Sequence, residues 1–263
     1  MITVCRHELK LGFKALLIWS LSVGIMGLLC ILMYTSMEGE MADMAESFSK
    51  LGAFSDAFGM STLSIATLGG FFATEVGTVH GLGSAMFAAI TAAVILSKEE
   101  DGHTGEFLYS LPISRGSAVT GKALSVLINL VAFTAICGVF YVIGFVALGE
   151  DVLWKELLLF LVRMLLMNVE IAALALLLSA CSQRNRMGMG LGLALIFYAY
   201  DVVGRAVPDA KDYLFIGPLS YANASEIFAG KEAPVAAFAV AAAVIAVAVA
   251  ATYRVYLKKD LAS

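Results

Sequence analysis

Six long apolar runs constrain this chain more than any other feature of its sequence. A helix needs about 20 apolar residues to cross the hydrocarbon core of a bilayer, which is roughly 30 Å thick. The composition agrees, because 60% of the 263 residues are hydrophobic and only 14% are charged. We therefore predict an all-α membrane protein with a single transmembrane domain over residues 1–263. Its six transmembrane helices are predicted at 15–37, 78–97, 123–148, 157–181, 187–203 and 234–256, of which the fifth is the shortest.

Lysine and arginine are divided unequally between the two sides that these helices define. Eleven flank the helix ends on the side of residues 1–14, and five flank the other ends. Because cytoplasmic flanks are enriched in these residues, the bias predicts that both termini are cytoplasmic. The eleven are Arg6, Lys10, Lys14, Lys98, Arg115, Lys122, Arg184, Arg186, Arg254, Lys258 and Lys259, and the five are Lys50, Lys155, Arg205, Lys211 and Lys231.

The segment before the first run, residues 1–14, carries two stripes of different polarity. Basic residues recur every four positions, and apolar residues form a neighbouring stripe. This pattern predicts an amphipathic helix lying on the inner leaflet. A plain basic flank that orients the first transmembrane helix is an equally weighted alternative. The basic stripe is Arg6, Lys10 and Lys14, and the apolar stripe is Cys5, Leu9 and Phe13.

Two long connections lie on the outer side. Residues 38–77 mix acidic and aromatic side chains, which predicts a surface helix. Residues 204–233 contain Ile-Gly-Pro-Leu at 216–219, followed by a further apolar stretch. This second connection predicts a short helix or a re-entrant element that dips toward the membrane. Such an element requires a backbone buried by protein.

The stretch GSAVTGKA, residues 116–123, is one residue short of a phosphate-binding loop. Gly116, Gly121 and Lys122 fit the pattern, but Ala123 replaces the Ser or Thr that would ligate Mg²⁺. A working loop of this type lies between a buried strand and a helix, and no strand is predicted here. We predict instead that Lys122 extends to lipid phosphates at the inner interface.

The cytoplasmic segment 98–122 is too short for an ATPase domain, but it has a clear internal order. A dense charged cluster, residues 98–101, follows the second predicted transmembrane helix. Residues 106–111 can form a short helix that Pro112 ends. Ser114 can then cap the helix that enters the membrane.

This segment resembles the first cytoplasmic loop of ABC-2-type ABC transporter permeases. Those proteins carry an acidic E-E-D-G run, a short helix, an L-P-[IV]-S-R element and a G-K at the start of the next transmembrane helix. The number of transmembrane helices, the amphipathic first segment and the two long outer connections also agree. The matching residues are Glu99, Glu100, Asp101, Gly102, Leu111, Pro112, Ile113, Ser114, Arg115, Gly121 and Lys122.

The resemblance implies a transport subunit of a prokaryotic cytoplasmic membrane, with no catalytic residues of its own. A coupling helix in the loop would dock on a separate ATPase subunit, which would bind ATP and Mg²⁺. A second permease copy, identical or related, would complete the path. The implied direction is export, with peptides, hydrophobic drugs, lipid-linked material and ions as candidate cargo. The residues assigned to the ATPase-coupling loop are Glu99, Glu100, Asp101, Gly102, Glu106, Phe107, Leu108, Pro112 and Arg115.

Three polar residues interrupt the fourth predicted transmembrane helix: Arg163, Asn168 and Glu170. Arg163 and Glu170 are seven residues apart, so they project from nearly the same helix face. Because charges inside a bilayer are costly, such residues mark either function or pairing. They line a translocation path or proton-linked site, or they form internal contacts that fix helix packing. An ATP-independent, ion-coupled carrier is the alternative function that the first interpretation allows.

Other chemistries have little basis in the sequence. His7, His80 and His103 are scattered and form no H-E-x-x-H pattern, which argues against a metal site. The cysteines form no C-x-x-C pair. No basic tract predicts nucleic-acid binding. An intramembrane enzyme is therefore only an alternative to the transport function.

Two small-residue patterns permit close contact between helices: Gly77-x-x-x-Gly81 and Gly188-x-x-x-Gly192. They predict packing sites, either inside the chain or at a seam between two copies.

Overall fold

The computed structural model describes residues 1–104 and 112–259, with the backbone alone at 38–42 and 48–49. Six helices in this part of the chain are long and apolar enough to cross a membrane, and it contains no strand. The predicted all-α class and six runs are confirmed. The predicted coupling helix at 106–111, with Glu106, Phe107 and Leu108, lies outside the described residues. The helices, called here the first to sixth spans, are Ile2–Met37, Leu68–Ile95, Arg115–Ala147, Trp154–Ala180, Met187–Ala206 and Val235–Lys258.

The first span belongs to one uninterrupted helix, Ile2–Ser49. At 1.5 Å per residue this helix is about 72 Å long, so it extends beyond a bilayer core at both ends. Residues 2–14 thus continue into the span without a break, where the sequence suggested a separate interfacial helix. No proline interrupts them, and each added helical residue gains a backbone hydrogen bond. The predicted basic stripe of this segment is exposed.

The second span begins ten residues earlier than predicted. Thr67 caps it, because its Oγ1 accepts a hydrogen bond from Gly70 N at 3.1 Å. The helix continues as Leu68–Phe71, a π-helical turn over Phe72–Val76 and the main helix Gly77–Ile95. Phe72, the first residue of the π turn, lies at the centre of an aromatic cluster. Its ring lies 5.0–5.7 Å from the rings of Tyr141, Phe145, Phe160 and Phe228.

The third span begins at Arg115, eight residues before the predicted start. Ser114 caps it as expected, since its Oγ accepts from Ser117 N at 3.2 Å. The near phosphate-binding stretch 116–123 is therefore helical throughout. The bounds of the fourth, fifth and sixth spans differ from the predicted ones by at most three residues at each end.

The second span is the centre of the bundle, and small residues let its neighbours approach closely. Five alanines are buried along its main helix, Gly77–Ile95. A β-carbon at Gly190 of the fifth span would lie 2.8 Å from the carbonyl oxygen of Ala89. The fourth span runs parallel to the second, since Gly81 faces Met164 and the amides of Leu96 and Ser97 contact Ser179. The alanines are Ala85, Ala88, Ala89, Ala92 and Ala93.

The connection before the sixth span enters the bundle, as the predicted re-entrant element requires. A 3-10 helix, Pro208–Ile216, has no buried residue, whereas residues 217–222 are all buried. The short helix Ala224–Phe228 follows, with Asn223 Oδ1 accepting from Glu226 N at 3.1 Å. Its first residue packs against the second span, where a β-carbon at Gly77 would lie 2.5 Å from Ala224 Cβ. Protein thus surrounds this backbone, which removes the cost of exposing it to lipid.

Candidate functional site

One end of the bundle collects most of the basic residues and is called here the basic end. The first span starts there, the third and fifth spans start there, and the second, fourth and sixth spans finish there. The segment that joins the second and third spans, residues 96–114, also lies at this end. Its described part includes a short helix, Lys98–Asp101, that follows the second span directly.

Lys122 is buried at this end, with none of its side chain exposed. Its Nζ donates to the carbonyl oxygen of Ile95 at 2.5 Å and forms an ion pair with Glu99. Glu8 of the first span lies 3.6 Å from the same nitrogen. The prediction that Lys122 extends to lipid phosphates is therefore wrong, because two carboxylates and a carbonyl enclose its ammonium. The same contacts occupy the ammonium group of this lysine, and the two carboxylates beside it would repel a nucleotide phosphate.

A second lysine ties the loop to the first span. Lys98 Nζ donates to the carboxylate of Glu8, which is itself buried. Glu8 thus contacts both Lys98, at the start of the loop, and Lys122, in the third span that follows the loop. Buried ion pairs of this kind hold geometry strongly, because separating them leaves a charge without compensation.

Glu100 turns in the opposite direction, toward the sixth span. Its Oε1 accepts from Lys259 Nζ at 2.6 Å, and only 1% of its side chain is exposed. Lys259 Nζ also donates to the carbonyl oxygen of Ser182 at 2.5 Å, in the connection after the fourth span. The carbonyl oxygen of Lys259 accepts in turn from Arg115 at 2.7 Å. The predicted loop residues Glu100 and Arg115 therefore meet on one lysine that the sequence did not single out.

The fourth span holds the start of the loop through a hydroxyl group. Ser179 Oγ accepts from the amides of Leu96 and Ser97, at 3.0 and 3.2 Å. These contacts satisfy backbone donors in a buried position, where an unpaired donor is costly. Residues 96–100 are consequently held by the first, third, fourth and sixth spans together.

Not all charged residues in the described part of the loop are exposed to solvent. Asp101, Gly102, His103 and Thr104 are exposed, as is Pro112 on the far side of the segment. Glu99 and Glu100 were predicted to contact a partner, but both face the bundle, with side chains 13% and 1% exposed. Among the described residues of the loop, those of the 101–104 turn are accessible from outside the bundle.

Two of the three polar residues of the fourth span, Arg163 and Glu170, contact the re-entrant connection. Glu170 Oε2 accepts from the hydroxyl of Tyr221 at 2.7 Å, and Arg163 donates to the carbonyl oxygen of Tyr221 at 3.5 Å. Arg163 also lies over the ring of Phe238, 5.8 Å from its centroid. The two charged residues thus share Tyr221. Asn168 is fully buried, and its side-chain atoms have no hydrogen-bond partner among the described residues.

An ion triad at the opposite end escaped the sequence-based prediction. Arg205 forms two hydrogen bonds with Asp201, at 2.9 and 3.0 Å, and a third with Glu226 at 2.7 Å. The first pair has i,i+4 spacing on one helix, a signal that the sequence contained. The contact with Glu226 depends on the path of the re-entrant connection. The triad fixes that connection to the fifth span.

His80 packs inside the bundle as a core residue. Its Nδ1 lies 2.8 Å from the hydroxyl oxygen of Tyr141, and its ring lies 5.3 Å from that of Phe160. Across residues 1–104 and 112–259, no group of three His, Cys, Asp or Glu side chains is arranged to hold a metal ion.

Six spans and a polar loop held at one end give the described residues the architecture of an integral membrane protein. The model of the ABC-2 family transporter proteins matches residues 2–261. The chain therefore belongs to this family, and it is the membrane-spanning permease part of such a transporter. We find no match to the sequence among curated proteins.

Proposed function

We propose that the chain is the permease subunit of an ATP-driven exporter, and that its basic end docks on a separate ATPase subunit. That partner would bind ATP and Mg²⁺, and the permease would convert its movement into a change of the bundle. The observation that carries the proposal is the clasped loop, in which buried ion pairs join Lys98, Glu99 and Glu100 to three other parts of the chain. Family membership supports the same assignment.

The clasp suits mechanical coupling for a physical reason. A force on the exposed 101–104 turn passes into residues 96–100, which contact the first, third, fourth and sixth spans. Because buried ion pairs resist separation, these contacts would move as one body. A loop that was merely solvated would yield under the same force. Closure of the ATPase could in this way tilt several spans at once.

The orientation follows from charge. The basic end holds eleven of the lysines and arginines that flank the spans, so we place it in the cytoplasm, where the ATPase is found. Both termini would then be cytoplasmic, in a prokaryotic plasma membrane.

A second copy of the permease fits best against the fifth span. Gly77 and Gly81 are occupied inside the chain, by Ala224 and Met164. Gly188 and Gly192, in contrast, have no atom within 4 Å of an added β-carbon. Exposed apolar side chains such as Ile196 continue the same helix. Small residues next to an exposed apolar surface are suited to close helix–helix contact in lipid.

The ATP-independent carrier has less support. It requires Arg163 and Glu170 to bind and release an ion, but both contact Tyr221 and hold the re-entrant connection. We assign these residues to packing, which is the second of the two interpretations that the sequence allowed.

Co-purification with a candidate ABC ATPase subunit tests the proposal. We expect Asp101→Lys, in the exposed turn, to reduce recovery of the complex and its transport-coupled ATP hydrolysis. Asp151→Lys changes an exposed aspartate at the opposite end and should leave both unchanged. The docking proposal is wrong if the two variants behave alike. ATP hydrolysis by the purified permease alone would contradict the division of roles.

A further inference from the structure

Lys259, directly after the sixth span, forms one of the three ion pairs that hold the loop, and it has further contacts at the basic end. Its ammonium contacts Glu100 at 2.6 Å and the carbonyl oxygen of Ser182 at 2.5 Å. Its own carbonyl oxygen accepts from Arg115 at 2.7 Å. One residue therefore joins the loop, the connection after the fourth span and the start of the third span.

The contact with Glu100 is the one that constrains the loop. The carboxylate of Glu100 is almost fully buried, and its Oε2 has no hydrogen-bond partner among the described residues. A buried carboxylate without a counter-charge is strongly unfavourable. If a neutral residue replaced Lys259, the Glu100 carboxylate would lose its counter-charge, and we expect it to shift toward water together with the short helix 98–101.

The sixth span depends on such a connection because, like the fifth span, it buries few residues inside the chain. It is lightly packed, with only five buried residues, and Val235 and Val247 are 83% and 68% exposed. At the basic end, polar contacts supplement this packing, since the Tyr253 hydroxyl lies 2.6 Å from Thr120 Oγ1 of the third span. Lys259 adds the link from the sixth span to the loop itself.

We propose that Lys259 is a positioning residue that makes the sixth span move with the 98–104 loop. Its ion pair with Glu100 sets the resting position of the loop, and the helix before it carries any displacement of the loop into the membrane. This role rests on the proposed function in one respect, namely that an ATPase subunit displaces the loop. The connection itself is a property of the permease alone.

Hydrogen–deuterium exchange on the intact permease in lipid nanodiscs tests the connection without the ATPase. The amides of Asp101, Gly102 and Thr104 donate to Ser97, Lys98 and Glu99 at 2.8–2.9 Å, so they report on the loop. We expect Lys259→Met to raise exchange at these amides about tenfold, and to raise it also at 253–258, because the link is mutual. Lys258→Met removes the adjacent exposed lysine and should change neither region.

A double variant shows whether the two residues act on each other. Glu100→Gln removes the buried charge, so adding it to Lys259→Met should produce a smaller change than the two single effects added together. The proposal is overturned if the effects simply add, or if Lys259→Met exchanges like Lys258→Met. It is also overturned if only the loop responds and residues 253–258 do not.

The activity of the assembled transporter tests the positioning role of Lys259 separately from the proposed transport function. We expect Lys259→Met to lower the cargo moved per ATP several-fold, with the KM for ATP unchanged, because the ATPase site lies on another chain. Unchanged cargo per ATP would overturn the positioning role. If the exchange results are as expected but the wild-type chain binds no ATPase, the connection holds and the proposed function fails.

Discussion

The ammonium of Lys122 lies 2.5 Å from the carbonyl oxygen of Ile95, which joins the start of the third span to the last turn of the second. Glu99 and Glu8 complete the enclosure of this nitrogen. A residue that looks like the lysine of a phosphate-binding loop is therefore the centre of an internal ion cluster. Its contacts explain why the loop between these spans is held rather than free.

Removal of that charge should be among the most damaging single changes at the basic end. Lys122→Met leaves Glu99 and Glu8 near one another without a shared cation, and breaking a buried pair costs about 3–5 kcal/mol. We expect a clear drop in the thermal unfolding temperature of the purified permease. Lys10→Met, at an exposed position of the first span, is the matched control and should unfold like wild type. Equal unfolding temperatures for both variants would contradict the buried cluster.

The hydrogen bond between Tyr221 and Glu170 should hold the re-entrant connection in place. Tyr221→Phe removes the donor and leaves a buried carboxylate oxygen unpaired, at a cost of about 1–3 kcal/mol. We expect lower thermal stability and faster proteolysis between residues 217 and 228. Tyr213→Phe alters an exposed tyrosine of the same connection and serves as the control. If Glu170 were instead a free ion-binding group, Tyr221→Phe would change transport but not proteolysis.

The ion triad of Arg205 allows a comparison between a buried and an exposed salt bridge. Arg205→Met leaves Asp201 and Glu226 unpaired, and we expect a loss of about 3–5 kcal/mol. Lys211→Met breaks the ion pair between Lys211 and Asp56, whose side chains are 46% and 34% exposed respectively. Because this pair is exposed, its loss should lower the free energy of unfolding by at most about 1 kcal/mol. Chemical unfolding of the two variants measures the difference. Similar losses would mean that the triad is solvated.

The two glycine patterns should respond oppositely to the addition of a methyl group. Gly77→Ala would place Cβ 2.5 Å from Ala224 Cβ, so we expect it to destabilise the permease by about 1–3 kcal/mol. Gly188→Ala meets open space and replaces a poor helix former, which should be neutral or stabilising by up to about 1 kcal/mol. Thermal unfolding in detergent monomers distinguishes them. The assignment fails if Gly188→Ala is the more damaging change.

Cysteine cross-linking in membranes tests the proposed face for a second copy. In a variant without the native cysteines, Ile196→Cys on the fifth span should form dimers readily. Val247 on the sixth span is 68% exposed and Ile196 is 67% exposed, so Val247→Cys is the matched control and should form few dimers. Efficient dimers through Val247 alone would move the seam to the sixth span.

Local sequence determined the parts of the fold that the bilayer imposes. Each apolar run had to become a helix, because no other single segment satisfies its backbone groups in lipid. The cap at Ser114 also followed from local chemistry. Local sequence did not predict the start of the second span, because Glu75 and two adjacent glycines, Gly69 and Gly70, lower the hydropathy of that segment. Packing of Phe72 against rings from three other segments stabilises that part of the helix.

The sequence alone thus predicted the class, the number of spans, the loop and its family resemblance. Only the tertiary structure decided the direction in which the loop charges point. The sequence predicts that Glu99, Glu100 and Lys122 are exposed, because their neighbours in the chain are polar or lie at the membrane interface. Lys122 pairs with Glu99 and Glu8, and Glu100 pairs with Lys259. These partners lie 23 or more residues apart in the sequence and meet only when the spans pack. The physical reason is that a buried charge is tolerated only beside its counter-charge, and that pairing is a property of the folded bundle.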